Sequence, residues 1–265
     1  MNILEARNLN YHAVNTTIID QVSFEISKGA FLSIIGPNGA GKSTLLSLLC
    51  GDNKTSGDII FKGTNLNDWN AKELAKNRAV LPQSTTLNFN FKVSEVVLMG
   101  RSPYMNGLAE SKLDQNLAKQ ALQLVELTAY WNRDYTELSG GEKQRVQFAR
   151  VLVQLCEHTF EDCLGGKILF LDEAVANLDP AHQHQVFKLL KKLQKQGLTI
   201  VNVLHDIQLA AQYSDYVLVM KNTKMLIFDQ MQNVLTPINL EKIFNIPFRK
   251  LNDTKNDWPI LVAVA

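Results

Sequence analysis

Eight consecutive residues, Gly36-Pro37-Asn38-Gly39-Ala40-Gly41-Lys42-Ser43, carry the clearest chemistry in this chain. Glycines at that spacing let successive backbone N–H groups turn inward without side-chain clashes, which builds an anion nest. The apolar run Phe31-Leu32-Ser33-Ile34-Ile35 before it reads as a buried strand, and Lys42 to Cys50 after it as a helix closed by Gly51. A strand, a glycine-rich turn and a helix N-terminus in that order make a phosphate-binding loop. Lys42 would reach the β- and γ-phosphates of a nucleoside triphosphate, Ser43 would offer its hydroxyl to Mg2+, and Thr44 would support the α-phosphate.

A second constellation is acidic. Ile168-Leu169-Phe170-Leu171 is an apolar strand that ends in Asp172 and Glu173. Asp172 at the strand's carboxyl edge could hold Mg2+, and Glu173, projecting differently because side chains alternate, could polarise an attacking water as general base. Such a pair alone is usually a solvated turn, and it gains meaning from the phosphate loop. Leu138-Ser139-Gly140-Gly141-Glu142 opens a helix carrying Arg145 and Arg150. It reads as an N-cap, and its hydroxyl and glycine backbone also suit a second anion-binding helix N-terminus. Gln83 follows the strand Ala79 to Leu81, and His205 follows the strand Thr199 to Leu204, so both belong at strand ends where a phosphate loop would lie.

The elements that must hold these groups alternate between strand and helix. Val22, Phe24 and Ile26 mark a strand, Gly57 to Phe61 another, and Ala71 to Asn77 a short helix. From about Ser94 to Gln154 the pattern is helical. Leu113, Leu117, Ala121, Leu122 and Val125 recur at helical spacing, and so do Val146, Ala149, Leu152 and Val153. Alternation resumes with a strand at Lys167 to Leu171, a helix at Ala181 to Lys195, a strand at Thr199 to Leu204 and a helix at Asp206 to Tyr213. Strands at Tyr216 to Met220 and Lys224 to Phe228 follow. The whole predicts an α/β core interrupted by a helical insert.

Composition narrows the partners. With 27 Lys+Arg against 26 Asp+Glu the formal charge is +1, so the basic excess of a nucleic-acid binder is absent. Charges at Glu5 and Arg7 break any secretory apolar run, and no apolar stretch approaches the roughly 18 residues a spanning helix requires. Cys50, Cys156 and Cys163, an odd number at irregular spacing, fit reduced thiols in a cytoplasmic protein.

In sequence order these motifs resemble those of the ATP-binding cassette (ABC) ATPases over roughly residues 1 to 230. Gly36 to Ser43 corresponds to the P-loop, Gln83 to the Q-loop and Leu138 to Glu142 to the signature. Asp172 and Glu173 correspond to Walker B, Asn177-Leu178-Asp179 to the D-loop and His205 to the switch histidine, while Tyr11 resembles the aromatic residue that stacks on adenine. The resemblance implies a P-loop NTPase core of ABC type with an antiparallel β subdomain and an inserted helical subdomain. It divides the chain into a core at 1–84 and 159–230, a helical subdomain at 85–158 and a C-terminal tail at 231–265 packing on the core. It further implies ATP and Mg2+ as cofactors, with Ser43, Gln83 and Asp172 at the metal. The chain would form a homodimer in which Ser139, Gly140, Gly141 and Glu142 act on the nucleotide of the other subunit.

Within the family the text looks like ATP-binding subunits of type II bacterial importers for haem, ferric siderophores and cobalamin, with haem the leading cargo. Glu5-Ala6-Arg7-Asn8-Leu9, Arg78 to Gln83, Met99-Gly100-Arg101, Ala181 to His184 and Val203 to Asp206 carry that likeness. Implied partners are an integral-membrane permease dimer and, indirectly, a periplasmic haem-binding protein, and the implied location is the cytoplasmic face of the bacterial inner membrane. A soluble ATP-gated switch of DNA repair or translation is the alternative class, disfavoured because neither a coiled-coil insert nor a second cassette is present. One departure stands out. Where the family commonly has Pro and Thr or Ser after the Walker B glutamate, this chain has Ala174 and Val175, which removes a ring constraint and a hydroxyl and leaves the hydrolysis rate open.

Three further features invite chemistry. Cys156, His158 and Cys163 share one loop but match no standard zinc spacing. His182 and His184, at i and i+2, do not share a helical face. Phe89, Phe91, Met99 and Tyr104 either line a groove for a permease helix or form subdomain core.

Overall fold

In a computed structural model of the chain the described residues are 1–14, 16–83, 87, 89–105, 110–160, 164–175, 178–251 and 257–264. In chain order they form β1 (Asn2–Ala13), β2 (Thr16–Ser27), β3 (Phe31–Ile35), α1 (Lys42–Cys50), β4 (Ser56–Phe61) and β5 (Thr64–Asn65). Next come α2 (Ala71–Asn77), β6 (Arg78–Leu81), α3 (Val93–Leu98), α4 (Lys112–Leu124), α5 (Gly140–Leu155), β7 (Ile168–Asp172) and α6 (Pro180–Lys195). The chain continues through β8 (Thr199–Val203), α7 (Ile207–Tyr213), β9 (Tyr216–Lys221), β10 (Lys224–Gln230), α8 (Met231–Val234), α9 (Pro237–Phe244), β11 (Phe248–Leu251) and β12 (Ile260–Ala263). Two compact units result, one of residues 1–68 with 199–265 and one of residues 69–198. Among the described residues no helix is long and apolar enough to cross a membrane.

The first unit holds an antiparallel sheet in the order β2-β1-β4-β5 and a second set of strands in the order β10-β9-β3-β8. In that second set β3 pairs in parallel with both β8 and β9, and β10 closes antiparallel on β9. Every residue of β3 and of β8 is buried, as expected of parallel strands covered on both faces. That burial explains why both are mainly apolar, with Ser33 in β3 and Thr199 and Asn202 in β8 as the buried polar exceptions. Phe24 of β2 meets Phe228 of β10 at 5.6 Å between ring centroids. Helix α1 buries Leu45, Leu46, Leu48 and Leu49, and Gly51 ends it at φ 78°, where its N–H returns to the Leu48 and Ser47 carbonyls.

In the second unit β6 and β7 pair in parallel with Arg78 opposite Ile168 and Leu81 opposite Leu171. Helix α5 buries Val146, Phe148, Ala149, Val151, Leu152 and Val153. The 3-10 turn Met99–Tyr104 lies so close to α5 that a Cβ on Gly100 would stand 2.1 Å from the Arg150 carbonyl oxygen. One expectation is corrected here. Leu113 is exposed, and its neighbour Asp114 takes the buried place on α4.

The reason is Arg101, whose side chain is 2% exposed and whose Nε donates to Asp114 Oδ1 at 2.7 Å. The same guanidinium donates to the Val153 carbonyl at 3.0 Å and to the Cys156 carbonyl, and it lies over the Tyr104 ring. Burial alone would push the Asp114 carboxyl up, but hydrogen bonds from Ser111 and Arg101 outweigh it and hold the group below its usual range. Arg101→Met should therefore destabilise the fold by about 3 kcal/mol, because it strands a buried carboxylate. Chemical denaturation tests this, and adding Asp114→Leu should restore a good part of the loss; equal midpoints for Arg101→Met and wild type would refute it.

Candidate functional site

The local backbone of Gly36 to Ser43 follows from what its neighbours leave room for. Gly36 leaves β3 at φ 142°, and a Cβ there would sit 2.0 Å from the Met220 carbonyl oxygen on β9. Gly41 turns into α1 at φ 96°, where a Cβ would lie 2.7 Å from the Ile18 carbonyl oxygen. Between them Gly39, at φ 76°, faces open space. An open cradle of backbone at the N-terminus of a nine-residue helix suits phosphate oxygens. Pro37 and Asn38 form its rim, and Ala40 is buried beneath it. Lys42 is 5% exposed, and its Nζ donates to the Gly36 and Pro37 carbonyls at 2.9 and 3.0 Å. Ser43 is exposed and Thr44 half-buried.

His205 belongs to the same sheet edge. β3 and β8 run in parallel with Ile34 opposite Val203, and the Leu204 N–H donates to the Ile34 carbonyl at 3.0 Å. The two strands therefore end together, and His205 is exposed just beyond β8 as Gly36 is just beyond β3. Tyr11 is half-buried on β1 opposite Ile19.

In the second unit the register of β6 and β7 brings Gln83 and Glu173 to the same level, each two residues past the paired Leu81 and Leu171. The Gln83 Nε2 donates to Glu173 Oε2 at 2.8 Å. That bond uses the amide's donor and leaves its carbonyl oxygen for a hard cation. The Ser43 hydroxyl, Gln83 carbonyl and Asp172 carboxylate are all oxygen donors of the kind Mg2+ prefers. Glu173 itself sits at φ 48°, in the left-handed region, so the chain turns sharply off β7 at the carboxylate. The residues that follow, Ala174 and Val175, are buried, and their carbonyls accept from Gln144 and Gln183 respectively.

The signature segment is a capping box at the start of α5. Ser139 Oγ accepts from the Glu142 N–H at 3.3 Å, and the Glu142 carboxylate accepts from the Ser139 N–H at 2.7 Å and the Tyr130 hydroxyl at 2.8 Å. Among the described residues, Gly140 has no atom within 4 Å of an added Cβ and Gly141 meets Leu178 at 3.4 Å. Neither glycine is demanded by this chain's own packing. The Ser139 backbone N–H, then its hydroxyl, then Tyr130 pull the Glu142 carboxyl down to about 2. A depressed carboxyl stabilises the fold fully above its unfolded value near 4.5 and loses that contribution as pH falls towards 2. The thermal-stability advantage of wild type over Glu142→Ala should accordingly be constant from pH 8 to about 5 and shrink below it; a gap that widens on acidification would refute the assignment.

Asp179 caps α6, accepting from the His182 N–H at 3.0 Å, and that N–H followed by the His182 ring holds its carboxyl below the usual range. Its partner in the motif, Asn177, lies outside the described residues, as does Cys163. Cys156 is buried, His158 is exposed, and no group of three or more metal-ligating side chains occurs among the described residues. Phe89 is 74% exposed, whereas Phe91, Met99 and Tyr104 are half-buried. Sequence reasoning missed Gln144 and Gln183. A signal existed for the first, since Gln144 shares a face of α5 with buried Phe148 at i+4 and is the polar member of that stripe.

The fold and the glycine-rich loop define a P-loop NTPase of the ATP-binding cassette type. The ABC transporter family matches residues 19–176, and the chain belongs to that family, as one of its transport ATPases. It is 40% identical over 263 residues, 99% of this chain and 94% of that protein, to the Hemin import ATP-binding protein HmuV of Gloeobacter violaceus. It is 40% identical over 262 residues to the protein of the same name from Escherichia coli O157:H7, covering 98% of this chain and 99% of that one. Among solved structures, the chain of a metal-chelate type ABC transporter in an inward-facing conformation superposes with a TM-score of 0.83 at 28% identity, over 100% of this chain and 98% of that one.

Proposed function

We propose that this chain hydrolyses ATP to drive haem uptake through a separate membrane permease, working as a homodimer on the cytoplasmic face of a bacterial inner membrane. The observation that carries the ATPase chemistry is the Gly36 to Ser43 cradle, open where phosphate would enter and closed to any side chain at Gly36 and Gly41. Lys42 and the loop N–H groups bind the phosphates, Thr44 supports the α-phosphate and Tyr11 stacks on the adenine. Ser43, Gln83 and Asp172 are the residues that would hold Mg2+ through their oxygens, and the ion would supply charge shielding on the transferred phosphoryl group. Glu173 accepts the proton of the attacking water, Gln83 orients Glu173 through the 2.8 Å hydrogen bond, and His205 contacts the γ-phosphate region.

Ser139, Gly140, Gly141 and Glu142 serve the nucleotide of the second subunit, and Asp179 lies at the dimer seam. The open space over Gly140 among the described residues supports that reading, because glycine there is needed only if something else approaches. A triphosphate held between two helix N-termini favours the closed dimer, and hydrolysis removes that bias. Residues 1–84 and 159–230 then act as the nucleotide-binding core, 85–158 as the helical arm facing the permease and 231–265 as a tail on the core. The periplasmic haem-binding protein is an indirect partner.

Haem as cargo rests on the relatives, which cover 98–99% of the chain and bear that import name. A second cargo class, ferric siderophore or cobalamin, has support in the metal-chelate transporter neighbour. Reconstitution with the permease in liposomes decides between them. ATP-dependent uptake of haem, with little of the other two, is expected; uptake of a siderophore or cobalamin instead would overturn the haem reading while keeping the ATPase.

A further inference from the structure

The segment after Glu173 is held in a way that the proposed catalytic groups do not account for. Glu173 stands at φ 48°, an unfavourable conformation for a residue with a Cβ, so something must hold the peptide turned. Two glutamine side chains do so from two helices. Gln144 Nε2, on the second turn of α5, donates to the Ala174 carbonyl, and Gln183 Nε2, on the first turn of α6, donates to the Val175 carbonyl at 3.0 Å. The Val175 carbonyl also accepts from the Leu178 N–H at 3.1 Å. Ala174 and Val175 are 3% and 4% exposed, so water offers their carbonyls little alternative, and an amide withdrawn there leaves a buried acceptor short of a partner.

We propose that Gln144 and Gln183 are positioning residues for hydrolysis, fixing the backbone from which the Glu173 carboxylate projects. Gln83 steadies the carboxylate from the side-chain end at 2.8 Å, and the two glutamines steady it from the main-chain end. This rests on Glu173 being the general base. The glutamines supply by hydrogen bonding a constraint that neither Ala174 nor Val175 supplies by covalent structure. Gln144 adds a second consequence. It lies on the same helix as the Ser139 to Glu142 cap, so a ligand that shifts the N-terminus of α5 also moves the peptide beside Glu173.

The test uses the full-length chain and separates positioning from packing. Gln144→Glu keeps the size and shape of the side chain but presents an acceptor to the Ala174 carbonyl, whereas Gln144→Leu removes polarity altogether. Both should lower kcat for ATP by about tenfold and leave KM within about twofold, since small misplacement of a catalytic group costs rate before binding, while the buried Ala174 carbonyl left short of a donor lowers the thermal midpoint modestly. Gln183→Leu should act in the same direction, and it keeps the question decidable if a Gln144 variant fails to fold. Wild-type kcat in Gln144→Glu, or a KM that rises while kcat holds, would overturn the positioning role. A wild-type chain that neither binds nor hydrolyses ATP would overturn the ATPase reading itself, which is a separate outcome.

Discussion

Glu173→Gln is expected to cut steady-state ATP hydrolysis by about 10²- to 10⁴-fold while leaving ATP bound, because in the proposed mechanism it removes the general base and no phosphate contact. The geometry explains why the damage should be so selective. Gln83 donates to Glu173 Oε2, and a glutamine at 173 can offer its carbonyl oxygen to the same donor, so the local hydrogen bond survives. The Gly36 to Ser43 loop proposed to hold the phosphates belongs to the other compact unit, and the change alters none of its residues. What disappears is the capacity to take a proton from water. If ATP favours a closed dimer and hydrolysis releases it, the variant should accumulate that dimer. Light scattering with ATP and Mg2+ should then show a dimer that persists for many wild-type turnover times. A variant that hydrolyses at the wild-type rate would remove Glu173 from the chemistry; one that stays monomeric with ATP bound would remove the dimer from the cycle.

Much of the local geometry of this site was legible in the sequence, and the parts that were not have separate physical causes. The phosphate loop could be read because its constraints are local: Gly36 and Gly41 answer to backbone conformation and close approach, and α1 starts and stops at Lys42 and Cys50 as the spacing predicts. Helix α2 at Ala71–Asn77 was equally plain, since Asn70 caps it locally. Strand β1 escaped because its register shifts between Ala6 and Leu9 and again around Tyr11, and Asn8 stands at φ 50°. Such bulges destroy the period-two alternation by which a half-buried strand is recognised. Leu113 misled for the opposite reason. Its spacing to Leu117 is helical, but the buried position belongs to Asp114 because a guanidinium thirteen residues earlier folds back on it. The glutamine pair behind Glu173 left little mark, because gripping a distant carbonyl has no period of its own; only the place of Gln144 four residues before buried Phe148 on α5 hinted at it. Partners at long range in sequence were thus the blind spot in these last two cases, whether the partner was a charge or a peptide oxygen.

Lys42→Ala should weaken ATP binding by about 3 kcal/mol, roughly a hundredfold in Kd, as expected for two charge-assisted hydrogen bonds lost to an anionic ligand. The side chain is buried, and its ammonium rests on the Gly36 and Pro37 carbonyls. Those carbonyls lower the cost of keeping a cation there without a ligand, so the amine is already placed at the mouth of the cradle. Phosphates entering the nest meet a charge that needs no further ordering, and that preorganisation is what alanine removes. Folding should suffer little, because α1 is held by Leu45, Leu46, Leu48 and Leu49 rather than by the lysine. Thermal unfolding with and without nucleotide separates the two effects. At ATP a hundredfold above its Kd, linkage stabilises the wild-type chain by about 2.7 kcal/mol and should stabilise the variant by only a few tenths. An ATP-induced shift of equal size in both proteins would mean that Lys42 is not a phosphate ligand, and the Gly36 to Ser43 cradle would need another occupant.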